Sequence, residues 1–268
     1  MGGAVVLLLT LLQTFLTDAI TDSVDLTPPK VDFMTTVDEK TVDEKTVVRD
    51  YFNATGFDRW KRIYGEGDDV NKVQMNIRIG HQQTIDTVVG WLTADGNLGD
   101  IRICDAGCGT GSLSIPLVRA GAKDITASDI SEMMVGEAKA LAVAEFGADV
   151  PVTFSAQDLE TITGTYHTVI CLDVMIHYPP EKAGEMTAHL SSLASDRLII
   201  SFAPKTWYYA ILKKVGEFFP GPSKATRAYL HPEAYVLKVL EANGWKLARN
   251  ELTKRPFYFS RLLEVVKA

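Results

Sequence analysis

The stretch "ICDAGCGTGSLSIPL", residues 103–117, decides the fold, because a short apolar run, a glycine-rich turn and a helix-like pattern follow one another in it. A turn of this kind usually cradles a nucleotide-like cofactor at a helix N-terminus. Dinucleotide sites carry GxGxxG, whose third glycine lets helix and strand pack closely. Here the glycines are Gly107, Gly109 and Gly111, and Ser112 stands where that third glycine would be. The spacing therefore predicts a cofactor site that is a poor match for a nicotinamide dinucleotide.

Three acidic residues follow successive predicted strands. Asp105 directly precedes the glycine turn, where a carboxylate repels a pyrophosphate and attracts a cation such as an ammonium group. Asp129 ends the second strand, where a carboxylate accepts hydrogen bonds from ribose hydroxyls. Asp158 follows the third strand, and Leu159 beside it is placed to pack on an adenine ring. Asp129 and Asp158 could instead be helix-cap or turn residues. Together the three favour S-adenosylmethionine, which has an ammonium and a sulfonium and no phosphate.

Strand and helix patterns alternate after the turn, which predicts a parallel sheet with helices on both faces. Ser131 is the expected N-cap of the helix that follows the second strand. The last two strands have no helix between them and should pair as an antiparallel hairpin at the sheet edge. The fold class is therefore a doubly wound, mostly parallel seven-stranded α/β sheet with an antiparallel edge hairpin. The predicted strands are 101–105, 124–129, 152–158, 166–176, 197–204, 245–252 and 257–266.

The chain begins with a segment unlike the rest. Residues 3–17 are uncharged and mostly apolar, which is short for a membrane span and typical of a signal-peptide core. An acidic stretch with a repeated TVDEK follows, and it has too little apolar surface to order itself. We therefore expect residues 1–45 to be a targeting or disordered extension and residues 46–268 to form one domain.

A helical region precedes the glycine turn. Apolar residues from Val70 to Leu92 fall mostly three, four or seven apart, which predicts one amphipathic helix. Arg78 and His81 share a face of it, and they either contact the carboxyl end of the cofactor or lie on a solvated face. Residues 46–95 are expected to close over the cofactor as a helical lid.

Composition excludes several classes of protein. The chain is 46% hydrophobic and 23% charged, as globular proteins are, and its net charge of −7 argues against nucleic-acid binding. Cys104, Cys108 and Cys171 form no CxxC pair and no zinc-finger spacing with histidine, so neither a disulfide framework nor a metal site is indicated. They are expected to be small buried residues in a reducing compartment.

The segment 205–242 is longer than a bare crossover connection requires. Aromatic and basic residues beside a parallel sheet suit a flat anionic ligand. The alternative is an ordinary amphipathic helix with snorkelling lysines. The residues concerned are Lys205, Trp207, Tyr208, Tyr209, Lys213, Lys214, Phe218, Phe219, Lys224 and Arg227.

Several motifs resemble those of class I S-adenosylmethionine-dependent methyltransferases: "CDAGCGTGSLSIPL", "ASDIS", "AQDLE" and "ICLDVMIHYP". Others, of which "FFPGPSKATRAYLH" is the most specific, resemble the magnesium protoporphyrin IX methyltransferase family across residues 46–268. The resemblance implies methyl transfer to a propionate carboxylate of magnesium protoporphyrin IX, giving the monomethyl ester. It also implies no protein-bound metal, because the magnesium arrives within the substrate. The first 33 residues have no counterpart in the short cyanobacterial-type form.

The resemblance also implies roles for individual residues. Tyr64 and His177 are the catalytic candidates, as donors that orient the propionate, with proton abstraction as the lesser alternative. His177 could instead cap a strand end, and Tyr64 could be a packed helix residue. The implied cofactor contacts are Asp105, Gly107, Gly109, Gly111, Asp129, Ile130, Met134, Asp158, Leu159 and Asp173. The implied substrate contacts are Trp60, Arg78, His81, Lys205, Trp207, Lys213 and Lys214.

Other functions stay open at this point. The chain could methylate another carboxylate or hydroxyl, or it could be a nonenzymatic porphyrin-binding protein on the same fold; a nicotinamide oxidoreductase is disfavoured by Asp105 and Ser112. The expected partners are magnesium protoporphyrin IX and, as a candidate, magnesium chelatase, with peripheral membrane association. The family and the front segment together imply a plastid location, and a cytoplasmic one if the source is cyanobacterial.

Overall fold

The computed structural model describes residues 44–65, 67–205 and 229–268. Three predicted substrate contacts, Trp207, Lys213 and Lys214, lie outside the described residues, as does nearly all of the predicted extension.

Seven helices and seven strands are described, together with two short 3-10 turns. The helices are α1 (Glu44–Phe52), α2 (Thr55–Tyr64), α3 (Lys72–Ala94), α4 (Ser114–Arg119), α5 (Glu132–Phe146), α6 (Pro180–Leu193) and α7 (Glu233–Ala242). The strands are β1 (Ile103–Ala106), β2 (Ile125–Asp129), β3 (Val152–Ala156), β4 (Tyr166–Cys171), β5 (Ala194–Phe202), β6 (Trp245–Arg255) and β7 (Tyr258–Lys267). The first 3-10 turn is Leu159–Thr161, and the second is Met175–His177.

The strands form one sheet in the order β3-β2-β1-β4-β5-β7-β6. The pairs among the first five are parallel, whereas β7 runs antiparallel to both β5 and β6. This confirms the predicted doubly wound sheet and its antiparallel edge hairpin. Strand order reverses between β1 and β4, and ligands of such sheets bind outside the carboxyl ends of the strands at this point.

Strand β4 ends well before its apolar pattern predicts, while β3 and β5 each end two residues early. The expected strand 166–176 stops at Cys171, so the prediction was wrong for its last five residues. Asp173 has φ of 57°, in the left-handed region, where a β-strand cannot continue. The chain therefore leaves the sheet at Asp173 and enters the second 3-10 turn, which carries His177.

Two apolar clusters cover the two faces of the sheet. One includes Leu190, Phe202 and Trp245, and the other includes Ile85 and Leu117. Each such side chain, when fully buried, contributes about 1.5–3 kcal/mol. All three cysteines are buried, as predicted, and burial raises the pKa of each thiol.

The apolar spacing and the N-cap residue seen in the sequence correctly predict where two of the helices lie. The long helix α3 confirms the predicted amphipathic helix, and it starts at a capping box formed by Asn71 and Gln74. Ser131 caps α5 as predicted, because its Oγ accepts a hydrogen bond from the Met134 amide. The last ten residues of the segment 205–242 are the crossover helix α7, which packs into the core.

No helix within the described ranges is long and apolar enough to cross a membrane.

Candidate active site

The glycine turn leaves β1 with backbone angles that favour glycine. Gly107, Gly109 and Gly111 have φ of 86°, 52° and 83°. A Cβ on Gly107 would lie 2.2 Å from Cγ2 of Val174, so any side chain there would collide. A Cβ on Gly109 would meet nothing within 4 Å, so this part of the turn borders open space. A ligand can therefore approach the backbone at Gly109.

Asp129 joins the end of β2 to this turn. One of its carboxylate oxygens accepts from the amide of Gly109 at 3.0 Å, and the other accepts from the amide of Ser131 at 2.9 Å. Burial nevertheless raises the pKa of Asp129, although these amides oppose the shift. The structure thus brings Asp129 to the glycine turn, and the carboxylate also fixes the start of α5.

Asp105 lies beneath the turn and is 2% exposed. Its Oδ2 accepts from Oγ of Ser114 at 2.6 Å. Burial raises the pKa of Asp105 to about 6, against the opposing effect of the Ser114 hydrogen bond. Among the described residues no lysine or arginine forms an ion pair with Asp105, and a buried carboxylate of this kind is a place where a ligand cation would be stabilised.

The residues predicted to hold an adenine lie in a more crowded setting. Asp158 caps the first 3-10 turn by accepting from the amide of Glu160 at 2.9 Å, and its other oxygen lies 2.8 Å from Nζ of Lys45. Leu159 is buried in the core cluster that also contains Cys171. Asp158 is therefore a turn-capping residue, as one of the two alternatives for it predicted. Its contact with an adenine stays a prediction. Ile130 is half-buried against the same cluster, and Met134 is buried.

A row of aromatic rings from the first two helices lies between two histidines. Phe52 meets the ring of His177 edge-on at 5.2 Å and lies 6.4 Å from Trp60. Trp60 lies 5.2 Å from Tyr64, which stacks on His81 at 4.2 Å. We call Phe52, Trp60 and Tyr64 the aromatic row. One continuous series of ring contacts thus links the catalytic candidates, Tyr64 and His177, with two predicted substrate contacts, Trp60 and His81.

The two catalytic candidates are both uncharged at neutral pH. Burial lowers the pKa of His177 to about 4. Its Nδ1 is buried and has no hydrogen-bond partner among the described residues, so the structure gives this nitrogen no capping role. Burial, reinforced by the charge of Asp173, raises the pKa of Tyr64 well above its usual range. Tyr64 is therefore a neutral phenol that can donate a hydrogen bond, and His177 is a weak base.

Asp173 is the centre of a polar network that sequence analysis missed. Its carboxylate accepts from Nδ1 of His81 at 2.8 Å, Oη of Tyr258 at 2.7 Å, and the hydroxyls of Ser201 and Ser260 at 2.9 and 3.1 Å. Burial raises the pKa of Asp173, but these donors outweigh it and lower the pKa overall. The carboxylate is engaged by protein donors, so its predicted contact with a cofactor remains untested. No local pattern marks Ser201 or Ser260, because they come from β5 and β7.

Arg78 and His81 share a helix face as predicted but have separate environments. The guanidinium of Arg78 donates to the backbone carbonyls of Arg62, Ile63 and Gly67, and so ties α3 to the end of α2. Neither alternative considered for Arg78 anticipated this role. His81 is 7% exposed, which makes the solvated-face alternative wrong for it. Its Nε2 lies 3.1 Å from Oγ of Ser112, at the glycine turn.

Lys205 is exposed just after β5, and its amide donates to the carbonyl of His231 at 2.9 Å. Within the part of the chain that the structure describes, no group of three or more His, Cys, Asp or Glu side chains could hold a metal ion.

Two family profiles match the chain. The one described as "Magnesium-protoporphyrin IX methyltransferase C-terminus" matches residues 171–267, and the one described as "Methyltransferase domain" matches residues 103–195. Between them they cover the sheet, the glycine turn and the C-terminal hairpin.

Named relatives match over most of their length. A magnesium-protoporphyrin O-methyltransferase of Synechocystis is 60% identical over 229 residues, which are 85% of this chain and 98% of that protein. A chloroplastic magnesium protoporphyrin IX methyltransferase of Arabidopsis thaliana is 54% identical over 248 residues, covering 92% of this chain and 79% of the relative. A crystal structure of the Synechocystis magnesium protoporphyrin IX methyltransferase with bound SAH matches with a TM-score of 0.78 at 58% identity. That match covers 84% of this chain and 100% of the other. The chain therefore belongs to the magnesium protoporphyrin IX methyltransferase family, within the class I methyltransferases.

Proposed function

We propose that this chain transfers a methyl group from S-adenosylmethionine to a propionate carboxylate of magnesium protoporphyrin IX, forming the monomethyl ester. The observation that carries the proposal is the 60% identity to the Synechocystis relative, which extends over 98% of that protein. The glycine turn with Asp105 beneath it and Asp129 beside it supports the cofactor half of the reaction. The aromatic row supports a large flat acceptor.

The residues present fit S-adenosylmethionine. The open space at Gly109 lets a ligand approach the backbone, and Asp129 has its carboxylate at that point. Asp105 is the side chain proposed to face the ammonium group, because the cost of its buried charge falls when a cation lies beside it. When bound, S-adenosylmethionine supplies a methyl group activated by its sulfonium.

Methylation of a carboxylate demands orientation more than base catalysis. A propionate is already ionised at neutral pH, since ordinary carboxyl pKa values lie near 4. Tyr64 keeps its proton and can donate to the propionate, and neutral His177 has one N–H to offer. The low pKa of His177 makes it a poor proton acceptor, which supports orientation as its role. The aromatic row would exclude water from the reacting oxygen.

The test is transfer of labelled methyl from S-adenosylmethionine to magnesium protoporphyrin IX by the full chain. We expect the monomethyl ester, and a fall in kcat of about 10²-fold or more in His177→Ala, because positioning and hydrogen-bond donation are worth that much. Binding of S-adenosylmethionine should survive in that variant. If S-adenosylmethionine binds but no porphyrin ester forms, the alternative of another carboxylate or hydroxyl acceptor gains support. Porphyrin binding without any methyl transfer would favour a nonenzymatic carrier.

We further infer a plastid location, with residues 1–45 as a targeting extension and residues 46–268 as the catalytic domain. The chloroplastic name of the Arabidopsis relative and the apolar run 3–17 support this, while the Synechocystis relative makes a cytoplasmic location the alternative. Expression of the full chain and of residues 46–268, each fused to a fluorescent protein, tests it. Plastid fluorescence that needs the extension is the expected result. Magnesium chelatase as a partner and peripheral membrane association remain predictions, to be checked by co-purification and by vesicle flotation.

A further inference from the structure

The second 3-10 turn, which carries His177, is held in place from a distant part of the chain. The imidazole Nε2 of His231 lies 2.8 Å from the carbonyl oxygen of Met175. The backbone amide of Tyr229 donates to the next carbonyl, that of Ile176, at 2.7 Å. Two consecutive carbonyls of the turn are therefore fixed by residues 229–231.

Residues 229–231 are themselves anchored to the end of β5. The amide of His231 donates to the carbonyl of Ala203 at 2.8 Å, and the amide of Lys205 donates to the carbonyl of His231 at 2.9 Å. Pro204 and His231 form a parallel bridge. The backbone of His231 thus belongs to the sheet edge, so its side chain reaches the turn from a rigid support.

The hydrogen-bonding state of His231 follows from its surroundings. A carbonyl only accepts, so Nε2 carries the proton and donates to Met175. The other ring nitrogen is buried and has no partner among the described residues, and burial lowers the pKa of the imidazole. The ring is 0% exposed and lies edge-on to Phe202 at 6.3 Å. A buried imidazole with an unpaired nitrogen destabilises the folded state relative to an apolar side chain in the same space. Packing alone therefore does not account for a histidine at position 231.

We infer that His231 is a positioning residue for the methyl transfer, acting through the second 3-10 turn on His177. The inference rests on the role proposed above for His177. The hydrogen bond from His231 holds Met175, two residues before His177. It thereby sets where the His177 ring lies against Phe52. A displacement of about 1 Å at a reacting group can lower a rate by about 10²-fold.

Two substitutions separate the hydrogen bond from the volume of the ring. His231→Met fills the space but cannot donate, whereas the amide of His231→Gln reaches a position close to that of Nε2 and can. We expect kcat to fall about 10- to 100-fold in His231→Met and to recover to within about 3-fold in His231→Gln. KM for S-adenosylmethionine should change less than about 3-fold, because the glycine turn is attached to β1 and β2 instead.

His189→Ala is the matched control. Its Nε2 also bonds a backbone carbonyl, that of Ile162 at 3.2 Å, but this carbonyl lies outside the second 3-10 turn. We expect kcat at saturating S-adenosylmethionine to stay within about 2-fold in this control. Urea unfolding of each variant shows whether it is folded under the assay conditions.

A double-mutant cycle and an NMR measurement decide the matter. In the His177→Ala background, His231→Met should lower kcat less than about 2-fold further, because the two changes act through one ring. The ring resonances of His177 should shift in His231→Met, return in His231→Gln and stay in place in His189→Ala. Equal losses of kcat in both backgrounds, or unmoved His177 resonances in a folded His231→Met protein, would overturn the inference. The NMR measurement needs no turnover, so it tests the effect of His231 on His177 separately from the proposed function. If the unmodified chain has no methyltransferase activity, that result counts against the proposed function alone.

Discussion

Replacing Asp105 with asparagine should stabilise the ligand-free protein while weakening cofactor binding. The carboxyl is 2% exposed, and its side-chain donor is Ser114. Burial raises its pKa from a usual value of 3.8 to about 6. The folded protein therefore carries the cost of a buried charge at neutral pH, and the amide of asparagine removes that charge.

The magnitude follows from linkage between protonation and folding. The folded carboxyl holds its proton more tightly than the unfolded one, so its stabilising contribution is complete below about pH 3.8 and is lost as the pH rises to about 6. A difference of about two pH units at about 1.4 kcal/mol each amounts to about 3 kcal/mol. Asp105→Asn should gain up to that amount at pH 7.5, less whatever its new amide N–H loses by lacking a partner.

Urea unfolding of the ligand-free protein between pH 4.5 and 7.5 measures the effect. The advantage of Asp105→Asn should be largest at pH 7.5 and should shrink steadily below pH 6. Calorimetric titration with S-adenosylmethionine should show binding weakened at least 10-fold, because a neutral amide does not stabilise an ammonium. Asp100→Asn, at an exposed carboxyl, is the control and should change neither quantity.

Two results would refute this reasoning separately. A variant less stable than the parent at pH 7.5, or a stability difference that does not vary with pH, would mean that the buried Asp105 carboxylate does not destabilise the folded protein. Unchanged affinity for S-adenosylmethionine would mean that Asp105 does not face the cofactor cation.

Three further substitutions test other parts of the structure. Gly107→Ala should lower the free energy of unfolding by about 2 kcal/mol or more and weaken S-adenosylmethionine binding in calorimetry, because its Cβ would meet Val174 at a φ of 86°. Tyr64→Phe should lower kcat about 10-fold with unfolding free energy changed by less than about 1 kcal/mol; full activity would rule out the phenol as a donor. Arg249→Met should cost about 1–3 kcal/mol in urea unfolding and leave kcat unchanged, because it removes an ion-pair partner of Glu264, which is 1% exposed.

The sequence alone predicts the parts of this protein that depend on neighbouring residues. The glycine turn follows from the spacing of Gly107, Gly109 and Gly111, whose positive φ angles favour glycine. The cap at Ser131 and the helix over residues 72–94 follow from side chains three or four positions apart. The position of Asp129 beside the glycine turn also follows, because parallel strands bring their carboxyl ends to the same edge, while its contact with a ribose stays a prediction.

The tertiary structure alone decided what arises between distant segments. Asp173 meets Tyr258, 85 positions away, and His231 meets Met175, 56 positions away, and no local spacing encodes either pair. The pKa shifts of Asp105 and His177 likewise come from burial, which depends on every element packed around them. Periodicity and capping act over one or two helical turns, so the sequence by itself determined most of the elements and the glycine turn, but not where β4 ends. The hydrogen-bond network around Asp173 and the pKa shifts depend on burial, which only the packing of the whole chain produces.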